Sequence, residues 1–151
     1  MPGFMKCINQ IARCAEQYRA QRLAALGLTG CQYSCILNVC RQPGISQEGL
    51  AKQICVHKSS VARQLAQLEE NGFVRRETDE KDRRVTAVYP TARAREAYPV
   101  IRRVLGEWSR YVTGGLSEED KVRLIPLLES MCRRAEAYWE TGTEALPEEG
   151  I

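Results

Sequence analysis

Histidine is almost absent from this chain, in which His57 stands alone among 151 residues. Paired carboxylates at helical spacing, a glycine-rich phosphate loop and a nucleophile elbow are missing too, which leaves acid–base, phosphoryl-transfer and acyl-transfer chemistry without side chains to use. Cys55 and His57 do not fill the gap, because side chains two positions apart diverge in most backbones. These absences argue against an enzyme. No CxxC pair occurs, and the nearest spacings, Cys31 to Cys35 and Cys35 to Cys40, do not suit zinc, so neither a metal nor a cofactor is expected. The seven cysteines (Cys7, Cys14, Cys31, Cys35, Cys40, Cys55 and Cys132) are odd in number and scattered through helical patterns, which implies no disulfide framework. No apolar run approaches the roughly 20 residues that span a bilayer. The opening MPGFMKCINQIARC lacks the uninterrupted apolar core of a signal peptide, so the expectation is a cytoplasmic protein with no membrane partner.

Acid is missing unevenly. Five of the 19 acids lie beyond residue 135 and none of the 22 basic side chains does, which leaves residues 1–135 at a net charge of +8. A basic body with an acidic tail favours a nucleic-acid partner. The same shortage marks one stretch, VHKSSVARQLAQL, residues 56–68, which contains no acid at all. Wound as a helix, it stacks Val61, Leu65 and Leu68 on one side and Ser60, Arg63, Gln64 and Gln67 on another. The apolar stripe anchors the helix, and the acid-free stripe suits a polyanion.

The flanking patterns supply a context. Apolar spacing predicts a long first helix from Lys6 to about Leu26, ending near Gly27, and a second capped by Thr29 and running through Val39 to Pro43-Gly44. Ser46 caps a short helix with Leu50, Ala51 and Ile54, and Asn71-Gly72 ends the helix that follows. The period then changes to two: 73–77 and 85–89 read as strands joined by the charged tip 78–84. Thr91 caps a helix to about Thr113, bent or restarted at Pro99, and Ser117 opens a last helix to about Glu140 that Pro126 can kink. Two short helices followed at once by a cationic hairpin form a winged helix-turn-helix: mainly α with a small β-hairpin wing. Its logic is bracing: the small Ala51 lets the first helix cross closely, so the second projects its outer face into a major groove about 12 Å wide.

On that face Arg63 can donate two hydrogen bonds to guanine, and Gln64 can pair with adenine or reach phosphate. Ser59 and Ser60 are short enough for close approach. Lys58 and His57 open the same helix and complete the groove-facing set, His57 reading as part of the helix start and not as a ligand. In the wing, Lys81, Arg83 and Arg84 suit the narrow minor groove, with Asp82 as the intramolecular partner that holds an arginine. The bland reading of Arg83 and Arg84 as solvated turn residues, and a winged module that binds protein instead of DNA, remain as alternatives.

Three segments carry a family resemblance. LTGCQYSCIL (28–37) is similar to an LTxxQxxvL segment, residues 45–76 to a helix-turn-helix ending in LExxGhhxR, and DRR (82–84) to a DxR wing, all in the order and spacing of the MarR family of bacterial transcriptional regulators. The resemblance covers roughly residues 6–140. It implies a homodimer with intertwined terminal helices that places two winged motifs on successive major grooves of a pseudo-palindromic operator, and most simply a repressor. Carried over by position, Ser59, Ser60, Arg63 and Gln64 meet the major groove, Arg84 reaches the minor groove and Asp82 orients it. Residues 1–151 then form a single domain, with 6–27 and 91–140 as dimerisation helices, 29–90 as the DNA-binding lobe and 141–151 as the acidic tail. The apolar content of the long helices, Ile8, Ile11, Tyr18, Val104, Leu105, Trp108, Leu124, Leu127, Leu128 and Met131, supports the dimer independently. The pattern departs from the family at His57, where a good N-cap is usual, and at Pro90 and Ala94 after the wing.

The resemblance also implies control, by release from DNA on binding a small phenolic or apolar anionic effector or on cysteine oxidation. Cys14 and Tyr18 match a first-helix pair of the hydroperoxide-sensing branch, although Gly30 replaces the tyrosine expected two residues into the second-helix segment. Cys14 equally fits a small buried apolar position. Cys55, in the turn before the groove-facing helix, is a second redox candidate. Tyr18, Arg19, Tyr33 and Tyr111 can line an effector cleft or serve as core.

Overall fold

A computed structural model of the chain describes residues 3–141, with side chains through residue 138. The acidic tail expected from residue 141 onward lies outside the described residues, apart from the backbone of Thr141 at the end of the last helix. The chain divides into two compact units, Met1–Ser109 and Arg110–Ile151.

In the first unit, α1 (Phe4–Arg22) gives way to a 3₁₀ turn at Ala24–Leu26, earlier than the single helix expected to Leu26. Helix α2 (Gln32–Arg41) has Cys31 at its N-cap position, so Thr29 is not its cap. Instead the Thr29 backbone N–H donates to Gln32 Oε1 at 3.0 Å, and the Gln32 N–H returns to the Thr29 carbonyl at 3.1 Å. A two-residue strand β1 (Ile45–Ser46), α3 (Gln47–Gln53), α4 (Lys58–Glu70), β2 (Val74–Thr78), β3 (Thr86–Pro90) and α5 (Ala92–Val112), whose residues up to Ser109 belong to this unit, follow.

The hairpin expected as a free wing is part of a three-stranded antiparallel sheet of order β1-β3-β2, with Ile45 opposite Val88 and Arg76 opposite Val88 from the other side. Two residues are too few for a periodicity of two to register, which is why β1 is invisible in the sequence. Helix α5 runs unbroken through Pro99, so no restart occurs there. Pro99 is exposed, and the carbonyl of Arg95, deprived of its partner, belongs to another exposed residue of the helix.

The core of this unit gathers Cys35, Ile36 and Val39 of α2, Leu50 and Ala51 of α3, Val61, Leu65 and Leu68 of α4, Phe73, Val88, and Ala94, Ala97, Ile101 and Val104 of α5. Val104, expected on a dimer face, is buried within the unit. Alpha-1 joins α5 through Tyr18, whose hydroxyl donates to Glu107 Oε2 at 3.0 Å while its ring lies 5.3 Å from that of Trp108.

The second unit contains α6 (Glu118–Thr141). Ser117 opens it as expected: Ser117 Oγ accepts the Asp120 N–H at 3.1 Å and donates to Asp120 Oδ2 at 2.6 Å. Glu118, Glu119 and Asp120 occupy the positive end of the helix dipole. Pro126 lies inside α6, which continues past it. Val122, Ile125, Leu127 and Met131 are exposed. Among the described residues no helix is long and apolar enough to cross a membrane.

Candidate nucleic-acid interface

Helices α3 and α4 form the expected helix-turn-helix. Ser46 Oγ accepts the Gly49 N–H at 3.0 Å, and a Cβ at residue 49 would stand 2.9 Å from that oxygen, so a larger residue there would make the serine hydroxyl shift. Leu50, Ala51, Val61 and Leu65 are buried between the helices, and Ile54 packs at their edge. The turn passes through Cys55 at φ 52, the left-handed region that favours glycine, and Val56 N–H closes onto the Ala51 carbonyl at 3.1 Å.

His57 occupies the N-cap of α4 without a side-chain capping bond, as its departure from the family's N-cap residues suggests. Helix α4 has no acid in its first turn. Its inner stripe, Val61, Leu65 and Leu68, is fully buried, while His57, Lys58, Ser59 and Arg63 are exposed and Ser60 and Gln64 half-buried. Two members of the outer set are not simply outward. Lys58 Nζ reaches Glu48 of α3 at 2.6 Å, and this lysine holds the Glu48 carboxyl below its ordinary range. Gln64 turns its Oε1 into the protein, where no described group donates to it. Gln67, on the same stripe, bonds inward as well: its Oε1 accepts from Gln32 Nε2 at 2.9 Å.

The wing tip is built by two aspartates. Asp79 Oδ1 accepts the backbone N–H of Lys81 at 2.7 Å and of Asp82 at 3.3 Å. Asp82 Oδ1 accepts both the N–H and the Nε of Arg84, at 3.1 and 3.0 Å, and Oδ2 accepts from Nη2 at 3.3 Å. Arg84 is thereby held in place while its side chain stays 91% exposed. The guanidinium holds the Asp82 carboxyl below its usual range, so the carboxylate stays ionised at neutral pH. Lys81 and Arg83 are exposed beside it.

Sequence reasoning did not single out the brace that joins helix to wing. Glu69 of α4 accepts the backbone N–H of Arg76 at 2.9 Å and its guanidinium at 3.0 and 2.9 Å. The signal was present, since Glu69 and Arg76 are the E and R of the LExxGhhxR pattern. Thr91, the expected cap of α5, accepts the Ala94 N–H at 3.3 Å, and its hydroxyl lies within reach of the Gly72 and Phe73 carbonyls. Asp79 carried a detectable Asx-turn signal too.

Of the two redox candidates, Cys55 is exposed, and so is Cys14, against the reading of Cys14 as a buried apolar residue. Tyr18 is engaged with Glu107, and the Arg19 guanidinium lies 4.9 Å above the Tyr33 ring, so these three cleft candidates are held by contacts within the chain. Tyr111 is exposed.

Comparison with known proteins matches this geometry. The model of the MarR family fits residues 28–86, from the approach to α2 to the first residue of β3. The chain is similar to YybA of Bacillus subtilis (strain 168), an uncharacterised HTH-type transcriptional regulator, with 32% identity over 141 residues that cover 93% of both proteins. It is similar to the crystal structure of the transcriptional regulator SlyA, with a TM-score of 0.86, 32% identity, and coverage of 90% of this chain and 96% of that one. A Listeria monocytogenes protein, a MarR family regulator solved in complex with 26mer DNA, shares the fold at a TM-score of 0.85 and 21% identity over 95% of this chain and 98% of its own.

Proposed function

This chain belongs to the MarR family of DNA-binding transcriptional regulators, and from that premise we propose that it works as a homodimeric repressor of a pseudo-palindromic operator. Residues 6–27 and 91–140 supply the dimerisation helices, and 29–90 the DNA-binding lobe. Arg63, Ser59 and Ser60 enter the major groove with His57 and Lys58 at the helix start and Gln64 alongside; Lys81, Arg83 and Arg84 follow the minor groove.

The observation that carries this reading is the pairing of two features of one lobe. One is an acid-free, exposed outer face on a helix whose inner face is fully buried; the other is an arginine fixed by Asp82 yet open to solvent. Anchoring and presentation are what groove docking demands. Lys58 is not lost to Glu48, because an exposed pair is weak and screened by solvent and a phosphate can replace the carboxylate.

Selection of bound duplexes from a random pool, followed by salt titration, tests the proposal. Two half-sites about one helical turn apart are expected. Arg63→Ala should lose about 1–3 kcal/mol of specific affinity, whereas Lys81→Ala should weaken all DNA about equally and flatten the salt slope. Unchanged binding in both variants would remove the DNA interface from these residues.

Release by a small phenolic or apolar anion is the family's habit and is expected to appear as loss of operator binding on ligand titration. A second reading, redox control, is favoured by the exposure of both Cys14 and Cys55. Peroxide should then weaken operator binding in the native protein, and Cys14→Ser or Cys55→Ser should abolish that response.

A further inference from the structure

Gln67 stands on the acid-free stripe of α4 with Ser60, Arg63 and Gln64, so a side-chain amide there ought to offer DNA both a donor and an acceptor. Its surroundings remove that freedom. The chain of bonds begins at a backbone N–H, whose polarity is fixed: the Thr29 N–H donates at 3.0 Å to one end of the Gln32 amide, which must therefore be its oxygen. The other end of that amide is then its NH₂, and it meets Gln67 at 2.9 Å, so Gln67 turns its own oxygen inward. Gln32 is only 2% exposed, and reversing its amide would set NH₂ against the Thr29 N–H in a buried site. Gln67 itself is exposed, and among the described residues nothing accepts from its Nε2.

We infer that Gln67 is a donor-only contact to DNA, its polarity locked by Gln32, and that it recognises an acceptor on the duplex: a phosphate oxygen or the acceptor edge of guanine or thymine. The bidentate recognition of adenine, which needs the glutamine oxygen to accept from the exocyclic amine, is closed to it. Gln32 is a positioning residue that acts through Gln67. The inference rests on the DNA-binding reading above.

Three measurements on the full chain test it. In the free protein, the Gln32 side-chain amide protons should be protected from solvent exchange and those of Gln67 unprotected, with a Gln67 proton becoming protected on the duplex selected from the random pool. Gln67→Met removes the acceptor of the buried Gln32 NH₂ and should lower Tm, so affinity is compared well below the unfolding range, where it should fall about 3- to 30-fold. Loss of a guanine or thymine preference at one position would identify a base acceptor; an equal loss on selected and unrelated duplexes would identify a phosphate. Gln32→Glu places an acceptor where Gln67 now meets a donor, forces the Gln67 amide to reverse, and should reproduce the loss with residue 67 intact. If that variant fails to fold, the Gln67→Met and exchange arms still decide.

An adenine preference that disappears in Gln67→Met, equal affinities for native and Gln67→Met protein, or solvent-rate exchange at the Gln32 amide would each overturn the inference. A native protein that binds no DNA would bring down the functional reading and the contact together, whereas native binding with an indifferent Gln67 would bring down only the contact.

Discussion

At the scale of single residues, Arg84 combines two properties that usually exclude each other, near-complete exposure and a fixed position. A free arginine would lose side-chain entropy on entering a groove; one already tethered to Asp82 has lost part of it beforehand. Asp82→Ala should therefore weaken operator binding by about 3- to 10-fold, read by fluorescence anisotropy, although it removes a negative charge that would otherwise repel phosphate. Pure charge counting predicts the opposite sign, so the measurement separates the two effects. Because the Arg84 guanidinium holds the Asp82 carboxyl below the ordinary aspartate range, the tether persists through the physiological range and is lost only in acid.

At the scale of elements, the orientation of α4 depends on its two ends. Its C-terminal end is tied to β2 by the three bonds from Arg76 to Glu69. Those bonds, the backbone one foremost, lower the Glu69 pKa from 4.5, so their contribution is present above the unfolded value and disappears as pH drops through the folded one. Glu69→Gln should cost about 1 kcal/mol at neutral pH, after allowance for partial exposure, and the difference in Tm from the native protein should close in acid. Leu65→Ala, in the buried stripe, should cost about 2–5 kcal/mol and show no such pH dependence.

The same helix shows what the sequence could and could not say. Val61, Leu65 and Leu68 were legible because a 3.6-residue period fixes which side is buried, and Asn71-Gly72 because glycine alone takes φ 75 without strain. Thr29 misled as a cap because hydroxyl residues before an apolar run look alike, while the actual arrangement uses a glutamine three residues on. Gln64 and Gln67 were read as outward from spacing, but a long amide can fold its oxygen back to the protein. Periodicity places a Cα; it does not place the end of a flexible side chain.

At the scale of the whole molecule, each unit leaves apolar surface uncovered: Met5, Ile8 and Ile11 in the first, and Val122, Ile125, Leu127 and Met131 in the second, with Val122 73% and Leu127 62% exposed. Burying such faces against a second copy is expected to make Tm rise with protein concentration. Ile11→Glu or Leu127→Glu should convert the proposed dimer to monomer in sedimentation equilibrium and weaken operator binding, since two linked lobes bind with a raised effective concentration. A monomeric native protein would rule out that assembly.

Cys35 lends the molecule an internal clock. It packs in the core of α2, where burial, reinforced by neighbouring Cys31, pushes its thiol up to about 12. Fully buried and held in its thiol form, Cys35 meets a maleimide only while the lobe is transiently open. Cys7, Cys14, Cys55 and Cys132, all exposed, react without waiting. Once half-buried Cys31 and Cys40 have also reacted, the slowest labelling step times the breathing of the lobe without an added probe, and operator DNA should lengthen the interval.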